Sequence, residues 1–262
     1  MSGFFTKRLA TLFIAGIALT GSSSYLRAET YIIPHFAAGR ILESGTVDSR
    51  YASRFSVVNL GSSDTSVTID AFDSTGTRLT IVTFGPTKVT PQGMGQYFLD
   101  SPELLVTGWL RITTSQPAAV RGSIIFLQID TLDIQPLSAF PAMAYANTDS
   151  NPGENFISAV VPVALYEAGS TGIALAFPSS GGAEAVVALT LRDSEGKVLG
   201  DKTIRIPANG YKSFLIEDLL PQIRSSKTGV LTLSTIATPI YGVAIEFQAR
   251  PFWMRTIEMS KR

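Results

Sequence analysis

The feature that most constrains this 262-residue chain is a strand-and-turn pattern that occurs twice. Residues 67–76 read VTIDAFDSTG and residues 187–196 read VALTLRDSEG, so both end in Asp-Ser-x-Gly. Apolar side chains recur with a period of two before each turn, which is typical of a half-buried β-strand. Aspartate favours the start of a tight turn, and glycine tolerates the positive φ needed at its end. The pattern predicts two related β-domains.

Other signals recur in the same order in both halves. A proline lies inside the first strand of each half, at Pro34 and Pro162, and a Thr-Gly strand follows later, TGWLRITT at 107–114 and TGVLTLST at 228–235. About seven short strands per half, with turn signals roughly every ten residues, favour an immunoglobulin-like β-sandwich over a barrel. Because proline has no N–H for a ladder, the first strand is expected at a sheet edge.

Four local predictions complete this pattern. Residues 40–51 are polar and punctuated by glycine, which predicts a loop inserted in the first half only. Residues 101–105 and 217–220 each predict a short helix, the former from Ser-Pro-Glu at its start. Residues 252–259 are expected to form a last strand or a tail packed on the second half.

The first 28 residues have the order of a secretory signal peptide. Lys7 and Arg8 precede the apolar run 9–19, and small and polar residues follow, so cleavage is expected after Ala28 or nearer Ser22–Ser24. The alternative is an uncleaved N-terminal anchor. An apolar run of eleven residues is too short to span a bilayer, which needs about 20. The predicted organisation is a signal peptide at 1–28, a sandwich at 29–130, a linker at 131–155 and a second sandwich at 156–262.

Composition excludes several classes of function. Cleavage at 28 removes three of the 21 basic residues and none of the 21 acidic ones, leaving a net charge of −3. The mature chain therefore has no basic footprint for nucleic acid or for a membrane surface. Because there is no cysteine, disulfides, thiol nucleophiles and cysteine-ligated metals are excluded.

A resemblance to a known repeat supports the two-domain interpretation. The residues that carry it in the first half are Pro34, Phe36, Ala37, Gly39, Asn59, Phe72, Asp73, Gly76, Gly108, Trp109, Arg111, Ile112 and Thr113. Those in the second half are Gly172, Ala174, Leu175, Ala176, Pro178, Ser179, Leu191, Asp193, Gly196, Phe214, Leu215, Gly229 and Leu231. In this order they resemble a recurrent β-sandwich repeat of secreted proteins of environmental bacteria. The resemblance implies the fold but no activity and no functional residue.

The chain offers little for catalysis. His35 is the only histidine, so a two-histidine metal site is impossible and a serine triad has one candidate base. The carboxylates Asp70 with Asp73, and Glu217 with Asp218, are better explained by turns and a helix start than by glycoside hydrolysis. The oxygen-rich segment 149–155 lacks the spacing of a calcium loop. No enzyme, cofactor or metal is predicted.

The candidate binding residues are Trp109, Arg111 and Trp253. Leu110 and Ile112 match core positions of the second half, so Trp109 and Arg111 share the opposite face of their strand. An outward tryptophan beside an arginine suits a sugar ring or a protein partner. The alternative, which we favour, is that the inter-repeat segment or a loop covers the ring, because a large aromatic side chain is seldom bare. Trp253 is a second, weaker candidate.

These observations predict an exported, non-enzymatic β-sandwich protein in the periplasm, on the cell surface or outside the cell. It would act as an interaction or structural module, with an unidentified protein or glycan partner and no membrane span after signal cleavage. The alternative is a pair of carbohydrate-binding modules that use exposed tryptophan.

Overall fold

The protein is described from a computed structural model, and the described part of the chain is almost entirely β-structure. It comprises residues 28–43, 46–101, 104–128, 148–149, 155–165, 169–179, 181–220, 227–236, 238–249, 252–257 and 259–261. Nineteen strands and one four-residue helix lie in these ranges, so the predicted all-β class is confirmed. None of the helical structure in these ranges has the length and apolar character that a bilayer crossing requires. The predicted signal peptide and most of the predicted linker lie outside these ranges.

The N-terminal lobe, residues 29–149, is one ten-stranded antiparallel sheet folded onto itself. Its strands are β1 Glu29–Glu43, β2 Thr46–Asn59, β3 Thr65–Phe72, β4 Arg78–Leu79, β5 Val82–Phe84, β6 Lys88–Val89, β7 Met94–Asp100, β8 Val106–Thr114, β9 Ala118–Gln128 and β10 Thr148–Asp149. The first part of β1 pairs with β8, and its last five residues pair with β2. Strand β1 therefore passes from one layer of the lobe to the other, and a core drawn from both layers lies between them.

The C-terminal lobe, residues 155–261, has two separate antiparallel sheets. Its elements are β11 Ser158–Leu165, β12 Gly169–Ala176, β13 Ala185–Asp193, β14 Val198–Ile206, β15 Tyr211–Leu215, α1 Ile216–Leu219, β16 Lys227–Thr235, β17 Tyr241–Ala249, β18 Phe252–Ile257 and β19 Ser260–Lys261. The order is β14-β13-β16-β11-β19 in one sheet and β15-β12-β17-β18 in the other. Buried residues of both sheets form one core, so the lobe is sandwich-like.

The central strands of the two lobes have equivalent neighbours in their sheets. Strand β8 lies between β1 and β3, and β16 lies between β11 and β13 in the same way. Strand β2 lies between β7 and β9, as β12 lies between β15 and β17. A hydroxyl joins the two layers of each lobe: Ser53 Oγ bonds the N–H and C=O of Ala37 at 3.0 Å, and Thr171 Oγ1 bonds those of Ala164 at 3.2 Å.

The two Asp-Ser-x-Gly turns share the same hydrogen bonds from backbone N–H groups. Asp73 Oδ1 accepts the N–H groups of residues 75 and 77, and Asp193 Oδ1 accepts those of residues 195 and 197, all at 2.8 to 3.0 Å. The closing glycines have φ of 86° and 84°. Partial burial alone would raise the pKa of Asp73, but the hydrogen bonds outweigh burial and lower that pKa. The turn chemistry predicted from the sequence is therefore present.

The predicted edge strand contains a β-bulge. The register of β1 against β8 shifts between Ile33 and Phe36, so that Pro34 and His35 together lie opposite Trp109. Over residues 29–38 the only strand described as pairing with β1 is β8, so this part of β1 is a sheet edge. Proline is tolerated at such an edge. The bulge lets Ile33 and Phe36 both reach the core although two residues separate them.

The prediction of a loop at residues 40–51 is wrong. Most of this stretch belongs to the end of β1 and the start of β2, which pair from Gly39 with Tyr51 to Glu43 with Thr46. Composition misled here because a hairpin satisfies its backbone groups by pairing, whatever the polarity of its side chains.

Three further predictions have mixed outcomes. The helix near 217–220 is confirmed as α1, whereas at the other predicted helix Leu104 forms a bridge with Arg40 and residues 102–103 lie outside the described ranges. Residues 78–84, which the sequence predicts as one return strand after the first Asp turn, are split, since β4 pairs with β3 and β5 pairs with β7. The predicted last strand is present as β18 on β17.

Candidate functional site: the seam between the lobes

Four side chains suited to binding or chemistry meet where the two lobes touch: His35, Trp109, Arg111 and Tyr211. The outer face of β1, β3 and β8 packs on the outer face of β12, β15 and β17. Its apolar cluster combines residues from both lobes: Ile32, Phe72, Trp109, Ala174, Ala176, Tyr211 and Val243. We call this contact the seam. Small residues on β12 keep its face flat, which lets large rings from the N-terminal lobe approach closely.

Trp109 is the largest side chain in the seam and has no exposed surface. Its ring stacks on Phe72 with centroids 4.5 Å apart, and its Nε1–H donates to the carbonyl oxygen of Asn209 at 2.7 Å. A buried indole N–H needs such an acceptor. The covered arrangement favoured from the sequence is therefore found, and the exposed one is wrong. The cover is a turn and a sheet face of the C-terminal lobe.

Arg111 lies beside Trp109 and is partly buried in the same contact. Its guanidinium lies 4.8 Å from the centroid of Phe72 and 5.4 Å from that of Trp109, which are cation–π distances. Its Nη2 also donates to Asn209 Oδ1 at 3.3 Å. Asn209 thus receives donors from both predicted binding residues, so Trp109 and Arg111 act here as contacts between the lobes.

His35 reaches the seam because of the bulge in β1. Its Nδ1 hydrogen-bonds to the hydroxyl of Tyr211, and the two rings are nearly parallel, 9° apart. Burial lowers the pKa of His35 from 6.5 to about 4 and raises that of Tyr211. Both groups are therefore neutral at pH 7. This placement gives His35 a structural role as a contact between the lobes.

Sequence reasoning missed the C-terminal side of the seam. Asn209 has a φ of 54°, a left-handed conformation that asparagine adopts more readily than most residues. The Asn209-Gly210 pair is a turn signal in the sequence, but it gives no indication of an acceptor for Trp109. Gly172, Ala174 and Ala176 alternate along β12, and this small-residue period was the available signal for a closely packed outer face.

The third predicted binding residue, Trp253, lies on β18, where its backbone pairs with Gln248 of β17. Its side chain lies outside the described part of the structure. Of the three candidates, the structure therefore brings Trp109 and Arg111 together.

Outside the seam, an exposed apolar patch lies on the outer face of β5 and β7. Phe84 and Phe98 lie directly opposite each other in this pair and are both exposed. Arg54 of β2 pairs with Phe98, and its guanidinium lies 5.9 Å from that ring. The patch offers two accessible aromatic rings, which the seam does not.

The described residues contain no group of three or more histidine, aspartate or glutamate side chains arranged to hold a metal ion. Most of the segment 149–155, considered above for calcium, lies outside those residues.

Comparisons of the chain with protein-family models, with curated proteins and with solved structures found no match. The resemblance to a secreted bacterial repeat therefore stays a prediction, and the function has to be argued from the geometry.

Proposed function

We propose that this chain is an exported, non-enzymatic β-sandwich protein that works as an interaction or structural module of the cell envelope or surface. One observation carries the proposal: the side chains best suited to chemistry, His35, Trp109, Arg111 and Tyr211, join the lobes to each other. Accessible apolar side chains such as Phe84, Met94 and Phe98 lie instead on an open sheet face, where they are available to recognise a partner.

We also propose that the two lobes are tandem copies of one immunoglobulin-like unit. The shared strand neighbours, the matching Asp turns and the matching hydroxyl bridges support a duplication. Taking β11 to β17 as strands A to G, the pairs C–F and B–E of an immunoglobulin domain are kept. The first and last strands are exchanged between the layers, since β11 pairs with β16 and β17 with β12.

Export can be tested directly. The complete chain with a C-terminal tag, expressed in a Gram-negative host, should be recovered outside the cytoplasm with a new N-terminus between residues 22 and 29. Intact-mass measurement and N-terminal sequencing locate the cut. A full-length product confined to the cytoplasm would contradict the proposal.

The non-enzymatic part can be tested with the purified mature chain on ester, glycoside and peptide substrates. We expect no turnover above that of a heat-denatured sample. A rate that follows the folded protein through purification and scales with its concentration would show an enzyme.

A carbohydrate-binding function is the second candidate. The exposed pair Phe84 and Phe98 is better placed than the buried Trp109 to stack on a sugar. Aromatic rings on an open sheet face are able to stack on sugar rings. Retention on insoluble polysaccharide or a glycan array, lost in Phe98→Ala and kept in Ile236→Ala, would establish it. Ile236 suits the control because it is a highly exposed hydrophobic residue away from β5 and β7.

A further inference from the structure

The seam joins two unlike faces, and each lobe has one face of each kind. We name each face by its central strand. The β8 face of the N-terminal lobe covers the β12 face of the C-terminal lobe. By strand order, the C-terminal counterpart of the β8 face is the β16 face, formed by β11, β13 and β16. The N-terminal counterpart of the β12 face is the β2 face, formed by β2, β7 and β9. Neither counterpart takes part in the seam.

The counterparts of the two main seam residues are exposed hydrophobic side chains. Val230 occupies on β16 the register position of Trp109 on β8, because each precedes the matched core leucine, 231 or 110. Met94 opposes Val58 as Tyr211 opposes Ala176. Val230 is 36% exposed and Met94 is 58% exposed. Both open faces therefore carry accessible apolar surface at the positions that Trp109 and Tyr211 occupy in the seam.

The turns beside these faces show the same difference: a turn is packed in the seam, and its counterpart on the open face is exposed. In the seam, a Cβ on Gly76 would meet the carbonyl oxygen of Ala208, so the Asp73 turn packs closely on the turn that contains Asn209. The counterpart Gly196 has nothing within 4 Å of its Cβ position. Gln92, with a φ of 59°, is the exposed counterpart of Asn209 at 54°. The open faces thus retain the turn geometry of the seam without a partner.

We propose that a second copy of this chain is the partner, and that the β16 face of one copy docks on the β2 face of the next, repeating the seam between molecules. The contact is heterologous, so it leaves one open face at each end and extends head to tail. This inference rests on the proposed interaction role and names its partner.

The intermolecular contact is weaker than the seam. Val230 lacks the N–H that Trp109 donates to Asn209, and Thr232, the counterpart of Arg111, lacks its guanidinium.

Sedimentation velocity of the mature full-length chain from about 1 μM to 1 mM tests the proposal. We expect reversible, concentration-dependent association. Met94→Lys and Val230→Lys should each weaken it at least about tenfold, because each places a charge in the apolar contact. Ile236→Lys, with the same change of charge at a residue that is 84% exposed, should leave association unchanged.

Mixing the two variants separates head-to-tail docking from a symmetric dimer. The Met94→Lys chain keeps its β16 face and the Val230→Lys chain keeps its β2 face, so the mixture should form dimers and nothing longer. The pair Val230→Trp with Thr232→Arg, which restores the seam's donors, should tighten association at least about tenfold.

A wild-type chain that stays monomeric throughout, equal loss in Ile236→Lys, or no recovery on mixing would each overturn the inference. Circular dichroism spectra unchanged by the substitutions establish that every variant is folded. A monomeric chain that binds a glycan or another protein would refute the self-association and leave the proposed function in place, whereas measured turnover would refute the function alone.

Discussion

At the scale of single residues, Trp109 and Val230 occupy equivalent strand positions but differ in burial. Both precede a core leucine in a Thr-Gly strand and both point away from their own lobe's core. Trp109 is fully buried because the other lobe covers it, whereas Val230 is partly exposed. Burial of an outward side chain is therefore decided by what packs on its face.

Replacing Trp109 should separate the effect of burial from that of the hydrogen bond. Trp109→Ala is expected to lower the free energy of unfolding by about 3–5 kcal/mol, the usual effect of deleting a buried large side chain. Trp109→Phe keeps a ring but leaves Asn209 O without its donor, and we expect a loss of about 1–3 kcal/mol. Urea unfolding measures both. Val230→Ala is the matched control and should change stability by less than about 1 kcal/mol.

His35 should make stability depend on pH between 6.5 and about 4. Above 6.5 the ring is neutral in both folded and unfolded chains, so it contributes no pH dependence. As the pH falls below 6.5 the unfolded chain takes up a proton that the folded chain resists, and stability is lost until about pH 4. The loss is on the order of 2 kcal/mol, allowing for partial exposure of the ring.

Urea unfolding of wild type and His35→Gln at pH 7.5, 5.5 and 4.5 checks this. Glutamine does not titrate, so the difference between the two proteins should shrink, or change sign, as the pH falls. Parallel loss of stability in both proteins would assign the effect to other groups.

Gly76 and Gly196 form a matched pair that reports on the seam. They have nearly the same positive φ, so alanine introduces a similar backbone strain of about 1 kcal/mol at each. At Gly76 the new methyl group also meets Ala208 O, whereas at Gly196 it meets open space. We therefore expect Gly76→Ala to be more destabilising by about 1–3 kcal/mol in chemical denaturation. Equal effects would mean that the turn does not pack as described.

At the scale of elements, the Thr-Gly strands show why the motif recurs. A Cβ on Gly108 would overlap the carbonyl oxygen of Phe72, and a Cβ on Gly229 would overlap that of Arg192. Each glycine thus lets its strand approach the strand that ends in the Asp turn. The recurring sequence reflects a backbone contact inside each lobe.

Alanine at either position should therefore destabilise the protein by about 2 kcal/mol or more, through displacement of backbone. Gly172→Ala is the control, because its nearest neighbour would lie at an ordinary 3.6 Å. Thermal unfolding followed by circular dichroism compares the three variants. A Gly172→Ala effect as large as the other two would show that loss of glycine itself, and not the close approach, is responsible.

At the scale of the whole molecule, two lobe cores and one shared cluster form the apolar interior. The shared cluster is smaller than either core, yet hydrogen bonds cross it from Trp109 and Arg111 to Asn209, and between Tyr211 and His35. An apolar contact with satisfied polar groups couples the lobes energetically and sets their relative orientation.

We therefore expect a single cooperative unfolding transition for the wild-type chain by scanning calorimetry. Trp109→Ala should split it into two transitions, because removing the central ring weakens the coupling more than it weakens either lobe core. A single transition in both proteins would show that the lobes are coupled by contacts other than the seam.

Much of the fold could be predicted from the sequence because its signals are local. The period of two in β3 and β13, the Asp turns, the Asn-Gly turn and the start of α1 each depend on a few neighbouring residues. The hairpin at 40–51 and the bulge at Pro34 were missed, since they depend on pairing with strands far along the chain.

The sequence by itself determined the β-structure, the turns and the inward side of each central strand, because alternation and turn chemistry act over a few residues. Only the tertiary structure decided the use of the outward side. Trp109, Arg111 and His35 find Asn209 and Tyr211 about 100 residues or more away, a relation that no local pattern encodes. Whether an outward ring serves a ligand or a neighbouring lobe depends on which faces meet when the lobes pack.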